Sequence, residues 1–371
     1  MQAAEIEPLV RTFLGVSFGL GAAFGAIAQR SQFCTMGAIA DIVVIGDWTR
    51  MRMWVLAIGV AVLGFNAMAA AGWVDAADSV YARRELIWLS NLSGGLLFGF
   101  GMVLASGCGS KTLVRLGGGN LKSLVVFCVL GLAAYATLRG VVAVWRVSTV
   151  DAVWIELPAT QDLPSLLAHA SGIARPAAIA IAGGTVGIAL VGWALARPEG
   201  RSAGTLLGGV GLGALVVAAW WASGRLGFVA EHPDTLERVF LATNTRSMES
   251  FTFVAPIAYT LDWVIRYSDS SLRLSFGVVT VVGVVVGSAA AAIASGSFRW
   301  EGFAGTEDTA NHIVGGALMG VGGVTAFGCT VGQGLSGVST LSLGSFVAVA
   351  GIVAGALAAL RYQAWRMERL A

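Results

Sequence analysis

Nine apolar stretches, each close to the ~20 residues a helix needs to cross a bilayer, recur along the chain. They lie at about 10–28, 52–73, 89–107, 122–145, 176–196, 203–223, 273–295, 311–328 and 344–363. Four segments between them, 31–46, 109–119, 250–265 and 330–342, are too short or too polar to cross. Lipid cannot satisfy the backbone groups of such segments, so they persist at membrane depth only when buried in protein or lining a wet cavity. The pattern predicts an all-α polytopic membrane protein with about nine transmembrane helices and about four short re-entrant helices. Together they form a single transmembrane domain over 1–371.

A second pattern is laid over the first. Gly94-Gly95, Ser106-Gly107-Cys108 and Gly117-Gly118-Gly119 recur as Gly315-Gly316, Phe327-Gly328-Cys329-Thr330 and Gly332-Gln333-Gly334-Leu335-Ser336-Gly337, the two cysteines being 221 residues apart. The same offset relates Asp41 to Asp262 and Arg52 to Arg273. A constant offset over four landmarks predicts an internal duplication, with repeat one at about 10–145 and repeat two at about 203–363. The stretch 176–196 is an unmatched crossing between them. If 31–46 and 250–265 are re-entrant, each unit crosses four times and the extra helix makes the second unit enter the membrane the other way. Two inverted repeats are the expected result, a design in which broken helices build a site near the midplane; if 31–46 and 250–265 cross fully instead, the units are parallel.

Charge orients this arrangement. Arg30, Arg50, Arg52, Lys111, Arg115, Lys122, Arg197, Arg201, Arg299, Arg361, Arg366 and Arg369 share one side in the inverted arrangement. The positive-inside rule makes that side cytoplasmic, so the N-terminus is expected outside and the C-terminus inside. The longer connections, 146–175 and 224–249, carry Asp151, Glu156, Asp162, Glu231, Asp234 and Glu237 on the other side. Hydrophobic residues make up 56% and charged residues 12% of the chain, against about 25% charged in soluble domains. A net charge of +2 gives no reason to expect a nucleic-acid partner. Glu5 and Glu7 stand where a cleavable signal peptide would carry positive charge.

Four cysteines without a CxxC or close pair make neither a disulfide framework nor a zinc site, and no metal or other cofactor is expected. The three histidines, His169, His232 and His312, lie beside apolar segments and read as interfacial. Cys128 sits in the plain apolar run Val126-Phe127-Cys128-Val129 and reads as a small hydrophobe. Cys34, Cys108 and Cys329 differ, because each opens a short polar segment. A half-helix N-terminus offers free N–H groups and a positive dipole end to an anion, and S–H is a soft, weak donor. These neutral groups can bind a soft anion without trapping it. Gly107, Gly109, Gly328 and Gly332 frame the thiols and are expected to allow close backbone approach or a positive φ.

Gln-Arg-Ser-x-Phe-Cys at 29–34, Ser-Gly-Cys followed by Leu-Val-Arg-Leu-Gly at 106–117, and Gly-Cys-Thr-x-Gly-Gln-Gly-Leu-Ser-Gly at 328–337 resemble the YeeE/YedE family of bacterial inner-membrane sulfur transporters. That resemblance covers essentially the whole chain. It implies an hourglass-like protein that takes up thiosulfate past Cys34, Cys108 and Cys329, with a small cytoplasmic sulfur-carrier protein of the TusA type as a separate partner. It implies that Gln29 and Arg30 shape the first hairpin and that Lys111 and Arg115 attract the anion at the cytoplasmic exit. Thr330, Gln333 and Ser336 follow Cys329, the last two as donors on the periplasmic side. Transport of another sulfur or selenium compound and a membrane thiol oxidoreductase remain alternatives. The oxidoreductase needs two cysteines within ~7 Å between Cα atoms. A soft-metal transporter ranks lower, because the nine methionines and three histidines are scattered.

Overall fold

A computed structural model describes residues 3–233, 236–269 and 271–370; Asp234 lies outside them. The first part of the chain forms α1 (Ala3–Ser31), the short α2 (Thr35–Ile45), α3 (Thr49–Ala70), α4 (Trp88–Leu104), the short α5 (Gly109–Gly117) and α6 (Leu121–Arg139). Two small helices, α7 (Val141–Ser148) and α8 (Leu163–Ser171), lead into α9 (Arg175–Leu195). The second part forms α10 (Ala203–Trp221), the short α11 (Val254–Ile265), α12 (Phe276–Ala294), α13 (Thr306–Thr325), the π-helical turn Gly332–Gly337 and α14 (Leu343–Leu370).

Among the described residues eight helices are long and apolar enough to cross a membrane, so the chain is an all-α, multi-pass membrane protein. The ninth apolar stretch is α13, a helix of 20 residues with Glu307, Asp308 and His312 in its first two turns. All four short segments are helical or turn-like, as their lengths predict. The stretch expected at 122–145 divides at Gly140, whose backbone leaves the helical region; α6 stops at Arg139 and α7 turns away. Polar side chains fix the helix starts. Asn120 accepts the N–H of Ser123, Ser202 that of Thr205 and Ser275 that of Val278.

Helix directions follow from the contacts. Phe13 pairs with Phe276 at 5.9 Å and Gly25 lies against Val284, so α1 and α12 run parallel. Gly209 against Leu56 and Gly64 against Val217 make α3 and α10 parallel in the same way. Gly95 on Ala348 and Gly99 on Ile352 align α4 with α14, while Gly316 on Val126 and Gly320 on Leu130 align α6 with α13. By contrast, Ser31 lies by Gly208 and Phe13 by Gly227, so α1 and α10 are antiparallel. Gly94 with Gly322 and Gly101 with Gly315 make α4 and α13 antiparallel as well. Combined, these relations make α3 and α12, α4 and α13, and α6 and α14, each pair related by the 221-residue offset, run in opposite directions, and of these α4 and α13 pack directly on each other. The unmatched α9 lies along α3, with Gly183 on Asn66 and Gly187 on Leu63.

Two faces result, named outer and inner after the charge bias in the sequence. At the outer face β1 (Glu85–Leu86) pairs with β2 (Ile155–Glu156), Ser79 bridges to Met248 and Asp162 to Ser342. These ties hold 76–86, 155–163 and 341–342 together over the ends of α3, α6 and α13. At the inner face Asn120 bridges to Glu301, and Lys122 pairs with Asp308 at 2.9 Å. A column of buried rings, Phe24, Phe251, Phe253 and Phe276, fills the middle.

Candidate functional site

Three of the four cysteines stand at equivalent local positions. α1 ends where Gln32 takes φ 52° and Phe33 N–H returns to Ala28 O at 3.2 Å; Cys34 then caps α2, its Sγ accepting Gly37 N–H at 3.3 Å. After α4, Ser106 takes φ 56°, Gly107 N–H returns to Met102 O at 2.8 Å, and Cys108 precedes α5 with its Sγ 3.2 Å from Ser110 Oγ. After α13, Phe327 takes φ 56°, Gly328 N–H returns to Gly323 O at 2.8 Å, and Cys329 Sγ accepts Gly332 N–H at 3.4 Å. All three thiols are free and buried, whereas Cys128 is half-buried on α6.

The turns differ from the expectation in one respect. None of Gly107, Gly109, Gly328 and Gly332 has a positive φ; the left-handed residues are Ser106 and Phe327, one place earlier. A Cβ on Gly109 would meet nothing closer than Phe253 Cβ at 3.8 Å, but one on Gly332 would lie 2.5 Å from Thr252 Oγ1. Close approach therefore applies at Gly332 and not at Gly109. These contacts bring α5 and the Gly332 turn onto the same segment, 252–254.

Two cavities open on opposite sides of this buried group. The inner one, about 480 Å³, is lined by Gln29, Gln32, Lys111, Arg115, Asn120, Arg299 and Glu301. Lys111 Nζ donates to Gln32 Oε1 at 3.1 Å and Arg115 donates to Ser106 O at 3.1 Å, so Gln29, Lys111 and Arg115 do come together. Arg30 is exposed at the end of α1 and outside that wall. The hairpin itself is made by Gln32, whose side chain donates to Gln29 O at 2.8 Å. The outer cavity, about 190 Å³, is walled by Tyr81, Arg83, Arg146, Glu249, Thr252, Tyr259, Phe327 and Gly328.

Donors after Cys329 divide in an unexpected way. Gln333 donates to Ala326 O and accepts Ser345 Oγ at 2.6 Å; Ser336 donates to Phe251 O at 2.7 Å. Both side chains hold the turn and are occupied. Among the described residues Thr330 Oγ1 is a buried hydroxyl without a partner, and Trp54 Nε1 is in the same state. Trp54 stacks on Phe33 at 6.1 Å and its six-membered ring packs against Gly334, so it touches both cysteine turns. Buried polar groups are normally paired, and two orphan donors beside three thiols suit a ligand that brings its own acceptors. Trp54, Tyr81, Arg83 and Arg146 were not singled out by the sequence pattern. The aromatic and basic residues of connections 71–87 and 140–160 are the sequence signal that could have found the last three.

The matched carboxylates occupy matched places. Asp41 on α2 pairs with Arg50 at 3.2 Å and Asp262 on α11 with Arg266 at 2.7 Å. Arg52 instead donates to Trp193 O at 2.7 Å and covers its ring at 4.7 Å, anchoring the inner end of α9.

A family model described as Sulphur transport matches residues 30–358. The chain is 25% identical over 345 residues to the thiosulfate transporter TsuA of Spirochaeta thermophila, covering 89% of this chain and 92% of that protein. It is 27% identical over 325 residues to the thiosulfate transporter TsuA of Escherichia coli, covering 85% and 84% respectively. A shorter match, 28% over 104 residues, joins it to the probable transporter YedE of Escherichia coli, covering 28% of this chain and 24% of that protein.

Proposed function

The chain belongs to the Sulphur transport family, and from that premise we propose that it imports thiosulfate across the bacterial inner membrane. The anion passes from the outer cavity by Cys329, Cys108 and Cys34 to the inner cavity. The observation that carries this reading is the burial of three helix-opening thiols between two cavities on opposite faces, each with arginines in its wall. Thiosulfate has a soft terminal sulfur and hard oxygens. The thiols match the first, and Thr330 Oγ1, Trp54 Nε1 and the turn N–H groups match the second. None of these groups is charged, so each site can release what it binds.

The face with Arg50, Arg115, Arg197 and Arg299 is the cytoplasmic one in this reading, by the positive-inside rule. The antiparallel relation of α1 to α10 and of α4 to α13 supports two inverted repeats, and the two cavities support an hourglass outline. Lys111, Arg115 and Arg299 around the inner cavity would hold the anion for a separate sulfur-carrier protein of the TusA type.

Uptake of labelled thiosulfate, in cells without other sulfur importers, tests the substrate. The expected result is saturable uptake above the empty-vector rate, displaced by unlabelled thiosulfate in preference to sulfate or selenium oxyanions. Stronger displacement by a selenium anion would assign the other substrate. Retention of a purified carrier on inside-out but not right-side-out vesicles tests the partner and the orientation together.

A further inference from the structure

Ser106 and Phe327 hold the same place, 221 residues apart, and the same φ of 56°. Their surroundings are opposite. Ser106 is exposed, and its carbonyl accepts from Arg115 of the inner cavity wall, which leaves its side chain open toward that side. Phe327 carries a ring into the wall of the outer cavity, immediately before Gly328 and Cys329. An L-residue rarely takes a left-handed φ, and an aromatic one has no local hydrogen bond to compensate for it. The ring is instead held from outside. Arg83 Cζ lies 4.7 Å and Arg146 Cζ 6.0 Å from its centroid.

Those guanidiniums are under-used. Among the described residues Arg83 has no carboxylate partner, its named contact being the ring. Arg146 pairs through one nitrogen with Asp151 at 3.2 Å, while its Nε is buried without an acceptor. Glu249, the acidic wall residue, is occupied by Thr245 N–H at 2.9 Å and by the Thr245 hydroxyl. Both arginines are held in place by their backbones, Arg83 O by Gln161 N–H at 2.9 Å and Arg146 O by Asp151 N–H at 3.1 Å.

We propose that Arg83 and Arg146 form an outer receiving site for a small oxyanion, and that Phe327 between them is the plug this anion displaces before Cys329. A guanidinium prefers an oxyanion, which it can bind with charge and paired N–H groups, to a ring face. The arriving anion therefore competes for both arginines and removes the two contacts that hold the ring in the cavity wall beside the Cys329 turn. A cation gains nothing there, so opening and charge selection are one event. This rests on the transport reading above for its direction, from outer cavity to thiols.

The test uses the whole chain in sealed right-side-out vesicles. An anionic and a cationic methanethiosulfonate of similar size are added outside, and the modified fraction of Cys329 is read by peptide mass spectrometry. In the natural chain the anionic reagent is expected to react several-fold faster. R83Q with R146Q should abolish that preference. F327S, which copies the inner turn, should raise both rates by about tenfold, the scale of a lost cation–π clamp, and keep the preference. F327L, which keeps the bulk without the π face, should fall between, and it serves if the serine variant does not insert. Unchanged rates in F327S and F327L would overturn the plug; an anion preference surviving R83Q with R146Q would overturn the receiving site. The readout does not depend on which anion crosses. The labelling pattern without thiosulfate uptake would reject the substrate and leave the receiving site standing.

Discussion

Cys34 and Cys329 make the same hydrogen bond in short helices of different halves: each Sγ accepts the N–H of the glycine three residues on, Gly37 at 3.3 Å and Gly332 at 3.4 Å. A thiol used as a cap acceptor leaves its S–H free to point elsewhere, and a buried S–H with no other use can meet an anion. Cys108 lacks that bond and faces Ser110 Oγ. The three thiols are therefore alike in place but not in strength, and Cys108 is the least constrained.

Replacing Cys34, Cys108 or Cys329 by alanine should lower labelled thiosulfate uptake by about ten- to a hundredfold at equal protein level, the range for losing a hydrogen bond to a charged group. C128A should be silent. Serine keeps a donor but not its softness, so partial activity in the serine variants marks hydrogen bonding. Complete loss in all three would favour covalent or redox chemistry. Wild-type uptake in every alanine variant would reduce the thiols to packing.

Glycine replacements should sort by what the new Cβ meets. At Gly99 it would lie 2.0 Å from Ile352 O, so α4 and α14 must separate. At Gly332 the obstacle is Thr252 Oγ1 at 2.5 Å, a side chain that can rotate; at Gly109 nothing is closer than 3.8 Å. We expect G99A to lose about 1–3 kcal/mol or more as overpacking does, G332A to lose less, and G109A to be nearly neutral. Melting in detergent reads the order, and a G109A variant less stable than G99A would contradict it.

The spans were legible because ~20 apolar residues have one use in a helix, and the short segments because their length admits no crossing. Apolar runs carry no information on which connection closes over which turn. Arg83 and Arg146 come from connections 71–87 and 140–160, and they meet at Phe327 only through folding. Glycines drew attention to Gly107 and Gly328, yet the strained residues are Ser106 and Phe327, since nothing in the type of residue marks a left-handed serine or phenylalanine. Gln333 and Ser336 looked like free donors because hydrogen-bond capacity is visible in sequence and its occupation is not. Arg139-Gly140, which ends α6, is a stop signal of a basic last-turn residue followed by glycine, but the apolar residues on both sides of it make 122–145 look like one span.

If the halves are inverted, the loops after α3 and α12 lie on opposite sides of the membrane, because those helices are offset partners of opposite direction. Single cysteines placed in 74–88 and in 297–310, on a background without native cysteines, should react with an impermeant maleimide from opposite sides. The first is expected to label in intact spheroplasts and the second only after lysis. Labelling of both from one side would remove the inverted arrangement.

Glu249 gives the transport reading a pH dependence. It lies in the outer connection between α10 and α11, outside the spanning helices, 6% exposed. Burial pushes its carboxyl above the usual carboxylate range, an effect partly offset by hydrogen bonds from the Thr245 hydroxyl and from the N–H groups of Thr245 and Asn244. Tyr81, Tyr259, Arg83 and Arg146 share the cavity wall with it. Between the ordinary and the raised value the folded chain keeps a proton that the unfolded chain has released, so stability falls as pH rises through that window. The same ionisation places a negative charge beside the arriving anion, so uptake should fall over the same window. E249Q cannot ionise; its uptake and melting temperature should stay level where those of the natural chain decline. Initial rates and melting curves from about pH 5 to 8 decide this, and an identical decline in E249Q would assign the effect to another group.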